Sequence, residues 1–272
     1  MPSSRRRQHS SSVMGAAVLP RLRSALLSRY VREPLIVLLA YIPYFFARGL
    51  AVQNAEQAFD NASHLVRFER SIGIFGEISL QSATISYDFL LHAFNAIYFY
   101  GHWPIIISVG VYLFVKNPRA YVITRNAFLI SGAIALVLYA LFPVAPPRLS
   151  VLGVADTLQL TVPVSLDQSR LVNPFAALPS LHVGWDLIIA LGIFVAIRKP
   201  FARAVALLLP PAMMLATVVT GNHFFVDGIA GAGLALAAFV VAVWLYRTWP
   251  AAQCRLLASL GRLRTPGAAP SP

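Results

Sequence analysis

The chain has 272 residues, of which 58% are hydrophobic and only 12% charged, with a formal net charge of +12. A soluble domain carries about 25% charged residues; a mean hydropathy of +0.69 excludes that class and predicts a multi-pass membrane protein. The positive charge does not point to nucleic acid, because the basic residues fall between apolar runs, where membrane topology places them.

Residues 1–30 are rich in Ser and Arg and lack an acidic residue. They read as a basic disordered segment on the cytoplasmic membrane surface. A transmembrane domain follows over 31–248. Its first apolar run, Pro34 to Val52, reads as an uncleaved signal anchor, with Pro34 suited to a first helical turn. Residues 53–84 differ: they hold Glu56, Asp60, Glu69 and Glu77, and Phe59, Leu65, Val66, Phe68 and Ile72 form a loose helical stripe. Two readings stand equally, an amphipathic helix lying on the outer membrane face and a helix packed against the bundle. On the first, the segment is a lid over the site.

A long apolar stretch runs from Ser86 to Val115. Pro104 predicts either a kinked span or a re-entrant piece before the true span. His92 and His102 lie on it and read as buried, satisfied residues, with a site role as the alternative for each. The third span is predicted at Asn126 to Phe142. "FPVAPPRLS" then makes a rigid exit ending near Arg148, and a polar stretch leads to "NPFAALPSLH". The fourth span follows His182 to about Ile197, the fifth covers Ala204 to Thr220, and the sixth covers Gly228 to Tyr246. "GIAGAG" at the start of the sixth places small residues for close helix packing. Residues 249–272 form a basic, Pro/Ala-rich tail with the sole cysteine, Cys254, so an intrachain disulfide is excluded.

The fold class is therefore all-α, a polytopic helical bundle of about six transmembrane helices with an outer-face amphipathic helix. Charge orients it. The N-terminal arginines, then Lys116, Arg119 and Arg125, then Arg198, Lys199 and Arg203, and finally Arg247 to Arg264 fall on one side, the cytoplasm. Both termini are then cytoplasmic in a cell-membrane protein. Most acidic residues, Glu69, Glu77 and Asp227 among them, fall opposite, and Arg148, His182 and His223 converge on that extracytoplasmic face.

Ionisable groups at the edge of an apolar span are costly and mark function. In "LPSLH", Ser180 suits a helix N-cap, so the helix starts at Leu181 with its positive dipole end and its N–H groups available to phosphate. His182 lies in that first turn. In "GNHFFVD", His223 and Asp227 are four apart and share a helical face, so the carboxylate can fix the imidazole tautomer. Arg148 offers a bidentate grip on phosphate oxygens. Asn222 and Asn173 are candidates for substrate oxygens. Asp186 either orients His182 or pairs with a neighbouring polar group. A metal site at His182, His223 and Asp227 lacks a cysteine or a further carboxylate.

"PSLH" and "HFFVD", with histidines 41 positions apart, resemble the second and third motifs of the type 2 phosphatidic acid phosphatase superfamily. "APPRL", "ERSIGIFGE" and "NPFAALPSLHVGW" are closer to its inositolphosphotransferase branch, which includes fungal inositol phosphorylceramide synthase, in an actinobacterial form. The resemblance implies His223 as nucleophile through a phosphohistidine, Asp227 as its orienting carboxylate and His182 as acid and base, with no metal and no cofactor. The superfamily's first motif is not present in its usual form, Thr217 stands where an arginine is expected, and Leu181 replaces a glycine. The expected function is transfer of a phosphorylated head group, such as inositol phosphate, from a membrane phospholipid to a lipid or polyol hydroxyl. With water as acceptor the same machinery is a lipid phosphatase. A transporter or flippase is the alternative of a different class, but internal repeats and paired charges within several spans are lacking.

Overall fold

The computed structural model describes residues 28–50, 55–150, 152–161 and 173–263. The basic segment 1–30 lies almost wholly outside this set, as does most of the polar stretch before Asn173. The chain divides into two units, Met1–Ala47 and Arg48–Pro272. The first carries most of α1 (Arg29–Leu50), the helix on which the first apolar run lies. Its buried Glu33 pairs with Arg32 at 2.9 Å.

Among its described residues the second unit is built of helices joined by loops. In order come α2 (Ala55–Ser71), α3 (Glu77–Ile85), α4 (Asp88–Ala96), α5 (His102–Lys116), α6 (Pro118–Leu141), α7 (Thr157–Thr161), α8 (Leu181–Ala196), α9 (Pro200–Val219) and α10 (Phe225–Leu263). Among the described residues, four helices are long and apolar enough to cross a membrane: Asp88–Lys116, Pro118–Leu141, Pro200–Val219 and Phe225–Thr248. Large apolar side chains such as Ile107, Val137, Leu208 and Val240 stand exposed on them, as lipid-facing residues do.

The stretch predicted from Ser86 resolves as one continuous helix, α4 and α5 joined by a π turn at Ile97–Gly101. Pro104 supplies the cause. It lacks an N–H, and its ring crowds the carbonyl four residues back, at Tyr100, so the helix widens there rather than breaking. His92 is exposed near the start of this helix, beside Asp88, and is not the buried residue expected. The third span starts earlier than predicted. Asn117 Oδ1 caps the Ala120 N–H at 3.1 Å with Pro118 in the first turn, so Arg119 and Arg125 belong to α6 and not to a loop. The sixth helix likewise starts at Phe225, and its backbone continues through the predicted tail to Leu263.

The fourth predicted span, α8, is a short apolar helix of 16 residues, about 24 Å at 1.5 Å per residue. It sits at the centre and packs on α5, α6, α9 and α10. Glycines permit this. A Cβ at Gly184 would fall 2.7 Å from the Gly231 carbonyl, and one at Gly231 would strike the Ser180 carbonyl. Gly231→Ala is expected to cost about 1–3 kcal/mol through overpacking, read as a lower thermal midpoint in detergent. Gly233, whose Cβ would meet nothing within 4 Å, is the control; its alanine variant is expected to be neutral or slightly stabilising.

Of the two readings of 53–84, the packed helix is the one observed. Ala58, Ala62, Leu65, Val66 and Glu69 form the buried face of α2, a helical i, i+4, i+7, i+8, i+11 stripe. They close a core with Val144, Ala145, Ala177 and Phe224. Asn61 Nδ2 donates to the Pro143 carbonyl at 2.8 Å, and Ala145 N–H to the Ala58 carbonyl at 3.0 Å. Phe59, Phe68 and Ile72 are 40%, 50% and 52% exposed, so the expected stripe mixed two faces.

Candidate active site

Two loops and two helix starts meet under α2. The "FPVAPPRL" and "NPFAALPS" loops run side by side, with Val144 N–H donating to the Phe175 carbonyl at 2.8 Å and Ala177 N–H to the Val144 carbonyl at 3.3 Å. The turn after α9 follows from its glycine. Gly221 holds φ +69, as a helix-ending residue must to return its carbonyls, and Asn222 and His223 N–H both donate to the Thr217 carbonyl at 3.0 and 3.2 Å. Thr217 therefore serves this turn through its backbone and brings no charge. Ser180 N–H donates to the Asp227 carbonyl at 2.8 Å, which joins the two histidine motifs through backbone.

His223 is buried. Its Nδ1 stands 2.8 Å from the Ala177 carbonyl and 3.5 Å from Asp227 Oδ2. A carbonyl oxygen only accepts, so Nδ1 carries the proton and Nε2 keeps its lone pair. Asp227 is thus the second neighbour of the imidazole, not its first. Its Oδ2 accepts the Phe224 N–H at 2.8 Å, at the start of α10. What it offers the ring is negative charge at short range, which stabilises an imidazolium.

His182 is half-buried in the first turn of α8. Its ring centroid is 5.7 Å from that of His223, 4.8 Å from His102 and 4.6 Å from Tyr98. His102 and Asp186, both buried, pair at 2.9 Å. Asp186 therefore holds His102, which in turn abuts His182; of the two expectations for Asp186, pairing with a neighbour is the one seen. The α8 hydrogen-bond ladder opens with Gly184 N–H donating to the Ser180 carbonyl at 3.1 Å. The N–H groups of Leu181, His182 and Val183 precede it.

Ser180 has the backbone of a cap, but its side chain makes no capping bond, and among the described residues its buried Oγ has no partner. Arg148 Nη1 donates to Asn222 Oδ1 at 2.6 Å and its Nε faces Asp156 Oδ2 at 3.2 Å. Asn222, next in sequence to His223, is bonded to that guanidinium and to Thr220 Oγ1 at 2.9 Å. Asn173 Oδ1 accepts the Phe175 N–H at 2.9 Å and shapes its loop, while its buried Nδ2 has no partner among the described residues. Arg125 lies on α6 with Asn126 and Tyr121, away from this cluster. Among the described residues no group of three His, Cys, Asp or Glu side chains is gathered as a metal ion requires.

Four residues escaped the sequence reading. Tyr98 stacks on His182. Gln81 donates to the Ala155 and Val219 carbonyls, both at 2.9 Å, and ties α3 to the end of α9. Glu69 and Glu77 are wholly buried and accept the Val226 and Phe225 N–H groups. The signal for the last two was present: two carboxylates at the ends of "ERSIGIFGE", flanking the apolar run from Ile72 to Phe75.

Neither a search of curated proteins nor one of solved structures finds a match. A family model does: it covers residues 63–259, from the middle of α2 into the far half of α10 and across every residue of the histidine cluster, and by it the chain belongs to the PAP2 superfamily.

Proposed function

We propose that the chain is a membrane lipid phosphotransferase of the inositolphosphotransferase branch, actinobacterial in type. It moves a phosphorylated head group, such as inositol phosphate, from a phospholipid to an acceptor hydroxyl. Membership of the PAP2 superfamily implies metal-independent phosphatase or phosphotransferase chemistry on phosphate esters; donor, acceptor and transfer are the finer reading. On it the chain crosses the membrane about six times, with both termini cytoplasmic and the histidines on the extracytoplasmic face. The arginine distribution along the sequence supports that orientation.

The observation that carries the reading is the 2.8 Å approach of His223 Nδ1 to the Ala177 carbonyl, which leaves Nε2 as a nucleophile. In the first step Nε2 forms a bond to phosphorus, the bond from phosphorus to the diacylglycerol oxygen breaks, and protonated His182 gives that oxygen its proton. The phosphohistidine ring is cationic, and Asp227 at 3.5 Å offsets the charge. In the second step neutral His182 takes the proton of the acceptor hydroxyl, the acceptor oxygen bonds to phosphorus, and the P–N bond returns its electrons to Nε2. Arg148, Ser180, Asn173 and the Leu181 N–H meet the phosphate and head group. Tyr98 and His102 hold the His182 ring, and Asp186 holds His102. With water as acceptor the same steps make a lipid phosphatase.

The test incubates purified protein with a mixed phospholipid extract, without divalent metal, and identifies products by mass spectrometry. Diacylglycerol with a matching new phosphodiester is expected, and vanadate should block both. Dephosphorylated lipid with inorganic phosphate, released from a lipid phosphate monoester without a new phosphodiester, makes it a phosphatase. No turnover across a broad lipid set overturns the enzymatic reading.

A further inference from the structure

The first three N–H groups around the start of α10 are each received by a different carboxylate. Phe224 N–H donates to Asp227 Oδ2 at 2.8 Å, Phe225 N–H to Glu77 Oε1 at 3.0 Å, and Val226 N–H to Glu69 Oε1 at 2.7 Å. All three side chains are fully buried. Ordinary helix capping needs one such group, on the surface. Here two come from other helices, α2 and α3, and converge on the turn that holds His223. Glu77 has both oxygens engaged, the second by the Gly76 N–H at 3.0 Å. Glu69 Oε2 is buried and has no hydrogen-bond partner in the described residues. Receiving adjacent N–H groups sets the two carboxyls side by side, and two buried carboxyls this close hold a shared proton rather than two full charges.

We propose that Glu69 and Glu77 work as a single-proton carboxyl pair that positions the His223–Asp227 turn, and that loss of this proton ends activity on the alkaline side. The proposal rests on His223 as nucleophile. One shared proton leaves the pair with one negative charge, enough to receive two helix N–H groups without setting three full charges together. When the proton leaves, Glu69, Glu77 and Asp227 repel one another at the base of the turn.

The groups facing Glu69 bear this out. Glu77 approaches from α3, and Asp227 from α10, with His223 behind it. On α2 itself Arg70 is turned onto the Phe75 ring at 4.7 Å. The segments 143–146 and 175–178 packed against α2 hold no ionisable side chain. Burial, then the neighbouring Glu77 carboxyl, pushes the Glu69 carboxyl up to about 9 from 4.5. A raised carboxyl means that the folded chain keeps a proton the unfolded chain has lost. Its contribution to stability is complete below 4.5 and declines as pH rises through about 9.

The experiment compares the full-length wild type with Glu69→Gln and Glu69→Ala in detergent. Two quantities are read across pH 6–10: the thermal midpoint, and kcat for diacylglycerol release from phosphatidylinositol micelles. In the wild type both should fall towards pH 10. Glu69→Ala should lose about 100-fold in kcat at neutral pH, and Glu69→Gln, which keeps an acceptor for Val226 and a donor for Glu77, should recover most of it with no alkaline fall in the midpoint; kcat falls in alkali in every form, because the first step needs protonated His182. A wild-type alkaline fall of the midpoint in Glu69→Gln, or wild-type kcat in Glu69→Ala, overturns the pair. If Glu69→Ala does not fold, wild type against Glu69→Gln decides. If no form turns over phosphatidylinositol, the midpoints still decide: an alkaline fall in wild type that Glu69→Gln lacks upholds the pair and leaves the substrate reading to fail alone, and equal curves overturn it.

Discussion

Replacing His223 with alanine is expected to lower turnover at least about 10⁴-fold and to abolish any phosphoenzyme. The size follows from the role. Arg148 and the α8 start would still bind the phosphate ester, but the nitrogen that attacks phosphorus would be gone, and His182 is committed to proton transfer. The Ala177 carbonyl fixes the His223 tautomer, so asparagine, which has no such nitrogen, should fare no better. The check is product formation together with a labelled donor quenched mid-turnover. Wild type should carry an acid-labile, base-stable phosphoryl label. Turnover of His223→Ala within tenfold of wild type would mean that the nucleophile lies elsewhere.

His182→Ala is the second large effect, and it should depend on the leaving group. With a phospholipid donor, loss of the general acid should cost about 10²–10⁴-fold. A p-nitrophenyl phosphodiester leaves without a proton, so formation of the phosphoenzyme should then fall less than about tenfold. Acceptor activation still needs His182, so label should accumulate on His223. Measuring the burst and the steady state with both donors separates the two steps. An equal loss for both would make His182 a binding residue rather than an acid and base.

The grouping of the candidate residues was more legible than the architecture. That His182, His223 and Asp227 come together could be read because their motifs are local: a cap-like serine before a helix, and two groups one turn apart. Arg148 was proposed from its loop, and the structure adds that Asn222 and Asp156 hold it. The partner of Asp186 was not legible, since His102 comes from a helix 84 positions away. For helix α2 the packed reading held, but its buried face was only half legible because large apolar side chains were weighted over alanines. Ala58 and Ala62 bury it by close approach, and Phe59 and Phe68 face out. Burial of Glu69 and Glu77 ran against composition, which places carboxylates at the surface; only the helix start they receive explains it. The starts of α6 and α10 were set too late because charged and polar residues were read as loop, whereas Asn117 and the three carboxylates are what begin those helices.

The π turn at Ile97–Gly101 makes the helix Asp88–Lys116 sensitive to length more than to composition. It is in effect one residue more than an α-helix would hold between two fixed ends. Asn95, on one side of it, is bonded to Thr157 and Thr161, and His102, on the other, to Asp186. Deleting a single residue within the turn would leave the number an α-helix holds between those ends and keep both contacts, whereas adding one would rotate one side against the other by about 100°. Either the Asn95 anchor or the His102 contact would then be lost. Divergence in this span is thus open to side-chain exchange and to loss of the extra residue but closed to a further insertion, a constraint of phase that no one side chain carries.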